Sequence, residues 1–257
     1  MIGAIIGDCV GSRFEWNNFK SKRFELITEK SKFTDDTVLT IAIADAIINN
    51  RKPVEALVDW SKRNLTAGYG GTYRKWIYEP DHLPYNSWGN GSAMRTSSVG
   101  WLFNTLEEVL DKSKFYAEVT HNHPEGIKGA QSVSTAIFLA RNKATKSDIK
   151  SYIESQFGYN LDRTLAEIRP EYKFDVSCQG SVPESIIAFL ESKDYVDAIK
   201  FAVSLGGDSD TIGCICGGIA EAFYGTDSIP RDLITDVKAL LKPDMLYILE
   251  QFDSIKK

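Results

Sequence analysis

Two stretches of this sequence set carboxylates among hydroxyls in the same order: Phe33-Thr34-Asp35-Asp36-Thr37 and Gly206-Gly207-Asp208-Ser209-Asp210-Thr211. Thr, Asp and Ser cap helices, and early carboxylates favour the helix dipole, so each stretch reads first as a helix start. One cap needs one oxygen, however, and each stretch offers two carboxylates flanked by hydroxyls. Two such starts facing one another would form an oxygen cage, and carboxylates held that close take up protons unless a cation compensates. All-oxygen ligands without His or Cys select a hard ion, Mg²⁺, Mn²⁺ or Ca²⁺. The four Asp carboxylates are enough to hold two ions. An EF-hand loop starting at Asp208 fails at its fifth position, where Ile212 stands. A phosphatase-type aspartyl nucleophile would follow a buried strand, and only Val203-Ser204-Leu205 precedes the glycine pair. Di-metal phosphoester hydrolysis remains the alternative chemistry for such a cage.

Three further segments carry groups of interest. Glu15, between Phe14 and Trp16, is a carboxylate among aromatics and a candidate acid or base with a raised pKa. Asn86-Ser87-Trp88-Gly89-Asn90-Gly91-Ser92-Ala93-Met94-Arg95 runs glycine-rich backbone into a helix start, which can present amide donors to phosphate, although it matches neither a Walker A loop nor a dinucleotide fingerprint. His121 and His123 precede Pro124 and read as turn and cap residues. Two N-x-S/T sequons, at Asn64 and Asn90, come without a secretion signal, since Asp8 interrupts the apolar start. No H-E-x-x-H, G-x-S-x-G or Cys–His arrangement is present, and Cys9, Cys178, Cys214 and Cys216 lack zinc-type spacing. They read as reduced core thiols.

The elements that must position these groups are helical. Val38, Ile41, Ala42, Ala46 and Ile48 follow a near-3.6 repeat behind Thr34-Asp35-Asp36. Pro53 and Pro124 stand where a first helical turn tolerates proline, and Pro183 is read in the same way as opening Glu184 to Leu190. Asp194 to Leu205 follows, then Arg231 to Leu241 and Asp244 to Phe252, split by Pro243. The small residues from Gly213 to Gly218 suit a helix lying close against its neighbours. Arg23-Phe24-Glu25-Leu26-Ile27 is the one mild strand candidate. Asn17 to Phe33, with five basic residues, reads as a solvated loop; Gly68 to Gly91, rich in glycine and aromatics, reads as a functional one. The expectation is an all-α fold, one compact domain over residues 1–257.

Composition narrows the partners. A net charge of −5 lacks the footprint of a non-specific nucleic-acid binder, and there is no polybasic patch for a membrane surface. No apolar run nears the roughly 18 residues of a spanning helix. A cytoplasmic location is expected.

Taken in order, Gly7-Asp8-x-x-Gly11-x-x-x-Glu15, Phe33-Thr34-Asp35-Asp36-Thr37, Gly89-Asn90-Gly91-x-Ala93-Met94-Arg95, Thr120-His121-x-His123-Pro124 and Gly207-Asp208-x-Asp210-Thr211 resemble the ADP-ribosylglycohydrolase family over nearly the whole chain. The resemblance implies an orthogonal helical bundle with a binuclear Mg²⁺ (or Mn²⁺) centre in a cleft. It implies Thr34, Asp35, Asp36, Asp208, Asp210 and Thr211 as metal ligands and Glu15 as a mobile catalytic carboxylate. Gly70, Gly71, Ser87, Asn90, Gly91 and His121 would line an ADP-ribose site. The implied reaction is hydrolytic removal of ADP-ribose from a protein or small conjugate, with Glu15 and Asp208 as candidates for acid and base. A silent ADP-ribose-binding module is the rival reading.

Overall fold

The computed structural model describes residues 1–256. Among them there are fifteen α-helices and no strand; the one β-type contact is an isolated antiparallel bridge between Gly89 and Ser177. The helices are α1 (Ile2–Gly11), α2 (Asp35–Ile48), α3 (Pro53–Arg63), α4 (Gly71–Trp76), α5 (Gly91–Met94), α6 (Ser97–Leu102), α7 (Leu106–Glu118), α8 (Pro124–Arg141), α9 (Lys146–Phe157) and α10 (Leu165–Ile168). They continue with α11 (Cys178–Glu191), α12 (Tyr195–Val203), α13 (Ser209–Tyr224), α14 (Arg231–Leu240) and α15 (Pro243–Ile255).

Helices α1 and α13 form the centre. Every residue of α1 is buried, as is α13 from Ser209 to Ala222, the behaviour of helices with no polar face to give to water. They run antiparallel with their backbones in contact. A Cβ placed on Gly7 would lie 1.9 Å from the Gly213 carbonyl oxygen, and one on Gly11 2.2 Å from that of Ser209. From the other helix, a Cβ on Gly217 would lie 2.3 Å from the Gly3 carbonyl oxygen. Only hydrogen fits at those three levels. Around this pair, α13 packs on α8, α11 and α12, and α2 packs on α1, α3 and α15.

Local rules explain most of the boundaries. Thr34 caps α2 by accepting the Asp36 N–H, and Pro53, Pro124 and Pro243 open α3, α8 and α15 in their first turns. Three expectations need correction. Pro183 does not open a helix: it lies inside α11, which starts at Cys178 behind a Ser177 cap. Arg23 to Ile27 forms no strand, because among the described residues no segment pairs with its backbone; Phe24 packs edge-on against Phe14 at 5.1 Å. The loop between Gly68 and Gly91 contains a short helix, α4, whose Tyr73 and Trp76 are buried. The Asn17–Phe33 segment is also less free than a solvated loop, since Phe19 stacks on Phe14 at 4.7 Å and Lys20 donates to the carbonyls of Tyr172 and Leu205. All four cysteines are buried and unpaired, as read.

Gly7→Ala is expected to lower unfolding free energy by about 3 kcal/mol, the upper range for overpacking, because backbone rather than a flexible side chain opposes the new methyl. Gly71→Ala, with nothing within 4 Å of its Cβ, should stay within about 0.5 kcal/mol. Urea denaturation of the two variants checks the contrast.

Candidate active site

The two acidic helix starts do face each other. Oxygens of Asp8, Asp36 and Asp210 come within 4.8 Å of one another, and so do those of Glu15, Asp208 and Asp210. Thr211 Oγ1 donates to Asp36 Oδ2 at 3.2 Å, which ties the start of α13 to that of α2. Asp208 stands at the N-cap of α13 without capping it; its Oδ2 accepts instead from Asn90 Nδ2 at 2.7 Å. Gly206 and Gly207, at φ +72° and +69°, make the left-handed turn that delivers it.

Asp8 is the residue that sequence reasoning quoted without a role. Wholly buried in α1, it accepts from the Thr34 N–H at 2.9 Å, the Thr34 hydroxyl at 2.7 Å, the Thr37 N–H at 3.1 Å and the Thr37 hydroxyl. It thereby holds the first turn of α2 from a neighbouring helix. The available signal was a carboxylate within an otherwise apolar run, since such a group is seldom buried without partners.

Crowding and burial push these acids upward. Asp36 and Asp210 are raised well above the carboxylate range, first by burial and then by their acidic neighbours. Asp35 is pushed up to about 8 by burial and the charges of Asp8 and Asp208, and Glu15 to about 7 by burial and Asp208. Asp36 Oδ1 and Asp210 Oδ1 are buried with no hydrogen-bond partner. Unpartnered carboxylate oxygens of this kind, in an all-oxygen donor set, fit a hard divalent cation.

These acids end a cleft of about 740 Å³. Glu15, Asp35, Asp36, Asp208, Asp210 and Thr211 line it, together with Gly70, Gly71, Ser87, Asn90, Gly91 and His121. Of the expected set only Thr34 is absent from the lining; it is buried behind, bonded to Asp8 and Asp36. Asp35 lines the cleft but belongs to neither three-carboxylate group. The glycine segment is pinned from across the fold: Asn90 N–H donates to the Val176 carbonyl at 2.7 Å and Cys178 N–H to that of Trp88 at 3.0 Å. Trp16, Phe174, Val176 and Trp88 give the cleft an apolar, exposed rim, with Trp16 stacked on Phe174 at 4.8 Å. His123 caps α8 as read, accepting the Glu125 N–H. His121 goes elsewhere: it is buried in the cleft wall, not left in a turn.

Residues 1–254 match the family described as ADP-ribosylglycohydrolase. Similar proteins include ADP-ribosylhydrolase ARH3 of Mus musculus, 24% identical over 96% of this chain and 88% of its own length. ADP-ribosylarginine hydrolase Tri1 of Pseudomonas putida (strain GB-1) is 23% identical over 92% of this chain and 72% of its own length. The solved structure of an ADP-ribosylglycohydrolase-related protein complex covers 100% of this chain and 97% of its own at a TM-score of 0.74 and 21% identity, a likeness of fold.

Raised carboxylates set the pH dependence of stability. Well below the ordinary carboxylate range both folded and unfolded chains hold these protons. As pH rises the unfolded chain releases them first, so metal-free protein should lose stability from about pH 4 until the folded values, about 8 for Asp35, are passed. Calorimetry should show Tm falling over that window and Mg²⁺ or Mn²⁺ restoring it near pH 8. Asp210→Asn should blunt the metal response, and Asp232→Asn, at an exposed position of α14, should leave it intact.

Proposed function

The chain belongs to the ADP-ribosylglycohydrolase family, and from that premise we propose that it hydrolyses the ribosyl bond of an ADP-ribose conjugate, releasing ADP-ribose. The observation that carries this reading is one cleft with unpartnered carboxylate oxygens, Asp36 Oδ1 and Asp210 Oδ1, at one end and a pinned glycine segment along its wall. Cleavage of a ribosyl bond builds positive charge at the anomeric carbon, so an acidic end suits the reacting ribose. Thr34, Asp35, Asp36, Asp208, Asp210 and Thr211 would hold two Mg²⁺ ions, with Mn²⁺ as a substitute. Such ions orient ribose hydroxyls and polarise oxygen when bound.

The remaining work falls to the chain. Glu15, half-buried and pushed to about 7, exchanges a proton near neutral pH, either with the attacking water or with the leaving group. Asp208, oriented by Asn90, is its counterpart. Backbone amides of the Asn90-Gly91 segment receive the diphosphate, and adenine stacks on the Trp88 side of the rim. The substrate is an ADP-ribosylated protein or a small conjugate. The name of the Pseudomonas relative brings an arginine linkage into the set to be tried. Among the described residues no helix is long and apolar enough to cross a membrane, and we place the activity in the cytoplasm. A silent ADP-ribose binder is the weaker reading, because Glu15 and the full set of acids are present.

Mass spectrometry of products from arginine-, serine- and nucleic-acid-linked ADP-ribose, beside a phosphate monoester, tests the proposal. Release of ADP-ribose supports it; cleavage of the monoester alone would replace it with phosphoester hydrolysis. Glu15→Gln should lose turnover by roughly 10²-fold, the scale of one acid–base group, while still binding ADP-ribose and metal. Near-normal turnover in that variant would remove Glu15 from the chemistry. Trp88→Ala should weaken ADP-ribose binding by about ten-fold, on the scale of one base stack, without changing the Mg²⁺ response.

A further inference from the structure

The lining of the cleft also holds a cation without a counter-charge. Arg95 is 2% exposed and lines the cleft, yet no carboxylate among the described residues meets its guanidinium. Nη2 donates to the Tyr116 carbonyl at 3.2 Å and to Thr120 Oγ1 at 2.9 Å, and the buried Nε has no partner. Its nearest acidic neighbours are the phenols of Tyr73 and Tyr85 and the Cys178 thiol, all neutral at physiological pH because burial raises them. A buried cation so placed is strongly unfavourable unless an anion comes to it.

Thr120, fully buried, passes the contact on, with Oγ1 2.7 Å from His121 Nδ1. A hydroxyl has one proton and two lone pairs. Arg95 takes one lone pair. A hydroxyl that accepts from a guanidinium is polarised to donate onward, and Nδ1, at 2.7 Å, is placed to accept the Thr120 proton. The ring proton of His121 is then on Nε2. That nitrogen faces the glycine segment, 3.2 Å from where a Cβ on Gly91 would sit and 3.7 Å from one on Gly89. Burial and the Arg95 charge keep the ring neutral, well below its usual titration.

We propose that Arg95 and Thr120 are positioning residues of an oxyanion subsite: they fix His121 as an Nε2–H donor beside Gly91 and set the positive field there, so that the subsite takes a phosphoanhydride oxygen. This deepens, and rests on, the reading of the cleft as an ADP-ribose site. Thr120→Val keeps the shape and removes the relay. Long-range ¹H–¹⁵N spectra of the wild-type His121 ring should show a protonated Nε2 and a bare Nδ1 between pH 6 and 8, and the variant should lose that single tautomer. Calorimetric affinity for ADP-ribose should fall about ten-fold in Thr120→Val, the scale of one charge-linked hydrogen bond, with adenosine binding and the Mg²⁺-induced rise in Tm unchanged. Thr120→Ser should restore tautomer and affinity. A wild-type ring protonated on Nδ1, an unaltered tautomer and affinity in the variant, or an equal loss for adenosine would each overturn the proposal. Wild-type protein that binds no ADP-ribose would overturn the functional reading instead, and the tautomer spectra would still decide the relay.

Discussion

The contact on which the site depends is backbone against backbone, where α1 and α13 cross the core with glycines between them. Side chains at Gly7 or Gly213 would force the two axes apart. Their closeness decides where the charges go. Asp8 follows Gly7, and Asp210 lies one turn before Gly213, so carboxylates on two helices reach the same small volume. Gly11 abuts Ser209, so the chain leaving α1 toward Glu15 passes the chain entering α13 through Asp208. One packing contact thus gathers both three-carboxylate groups. Asp8 extends it to a third element by accepting four hydrogen bonds from the first turn of α2.

This arrangement leaves the cleft lined by groups of opposite charge type. Buried acids there are raised by burial and by one another, with two oxygens unpartnered. In the same lining, a buried guanidinium has no carboxylate of the described residues beside it and an unpartnered Nε. Each by itself opposes folding, since isolated buried charge is among the least favourable states a side chain can occupy. Pairing Arg95 with an acid would relieve both, and the helices keep them apart. Such unrelieved charge concentrates at functional sites, and the two ask for opposite partners, cations for the acids and an anion for the guanidinium.

Much of this was legible in the sequence where the rule is local. Thr34 as a cap, Pro53 and Pro124 in first turns, and the two acidic helix starts follow from side-chain chemistry within a few residues. What failed depended on distant groups. Pro183 lies inside α11 because the helix start was fixed five residues earlier by the Ser177 cap, beside the pairing of Cys178 with Trp88. Arg23 to Leu26 keeps its alternation of exposed and half-buried residues, but among the described residues no segment pairs with its backbone to make a strand. His121 reads as a turn residue from its neighbours, and only the fold brings it against Gly91. Asp8, Arg95 and Thr120 stood inside recognisable motifs, yet their roles are defined by partners 21 to 29 residues away.

The same long-range contacts limit how Glu15 can act. A carboxylate that enters and leaves a pocket, as the resemblance to the family implies for Glu15, needs slack on both sides. The structure gives it little. On one side Phe14 is buried and stacked on Phe19, with the Arg13 guanidinium over its ring at 4.5 Å. On the other, Asn18 Oδ1 accepts the Gly207 N–H at 3.3 Å, and Lys20 is fastened to the carbonyls of Tyr172 and Leu205. Only Glu15, Trp16 and Asn17 stand between these anchors. Movement of Glu15 is therefore confined to that short span, and what it must break is the Trp16–Phe174 stack at the rim. Asn18 grips Gly207, the residue before Asp208, so a displacement large enough to free this anchor would disturb the acidic cluster as well. The geometry favours a small swing of one carboxylate over the opening of a lid.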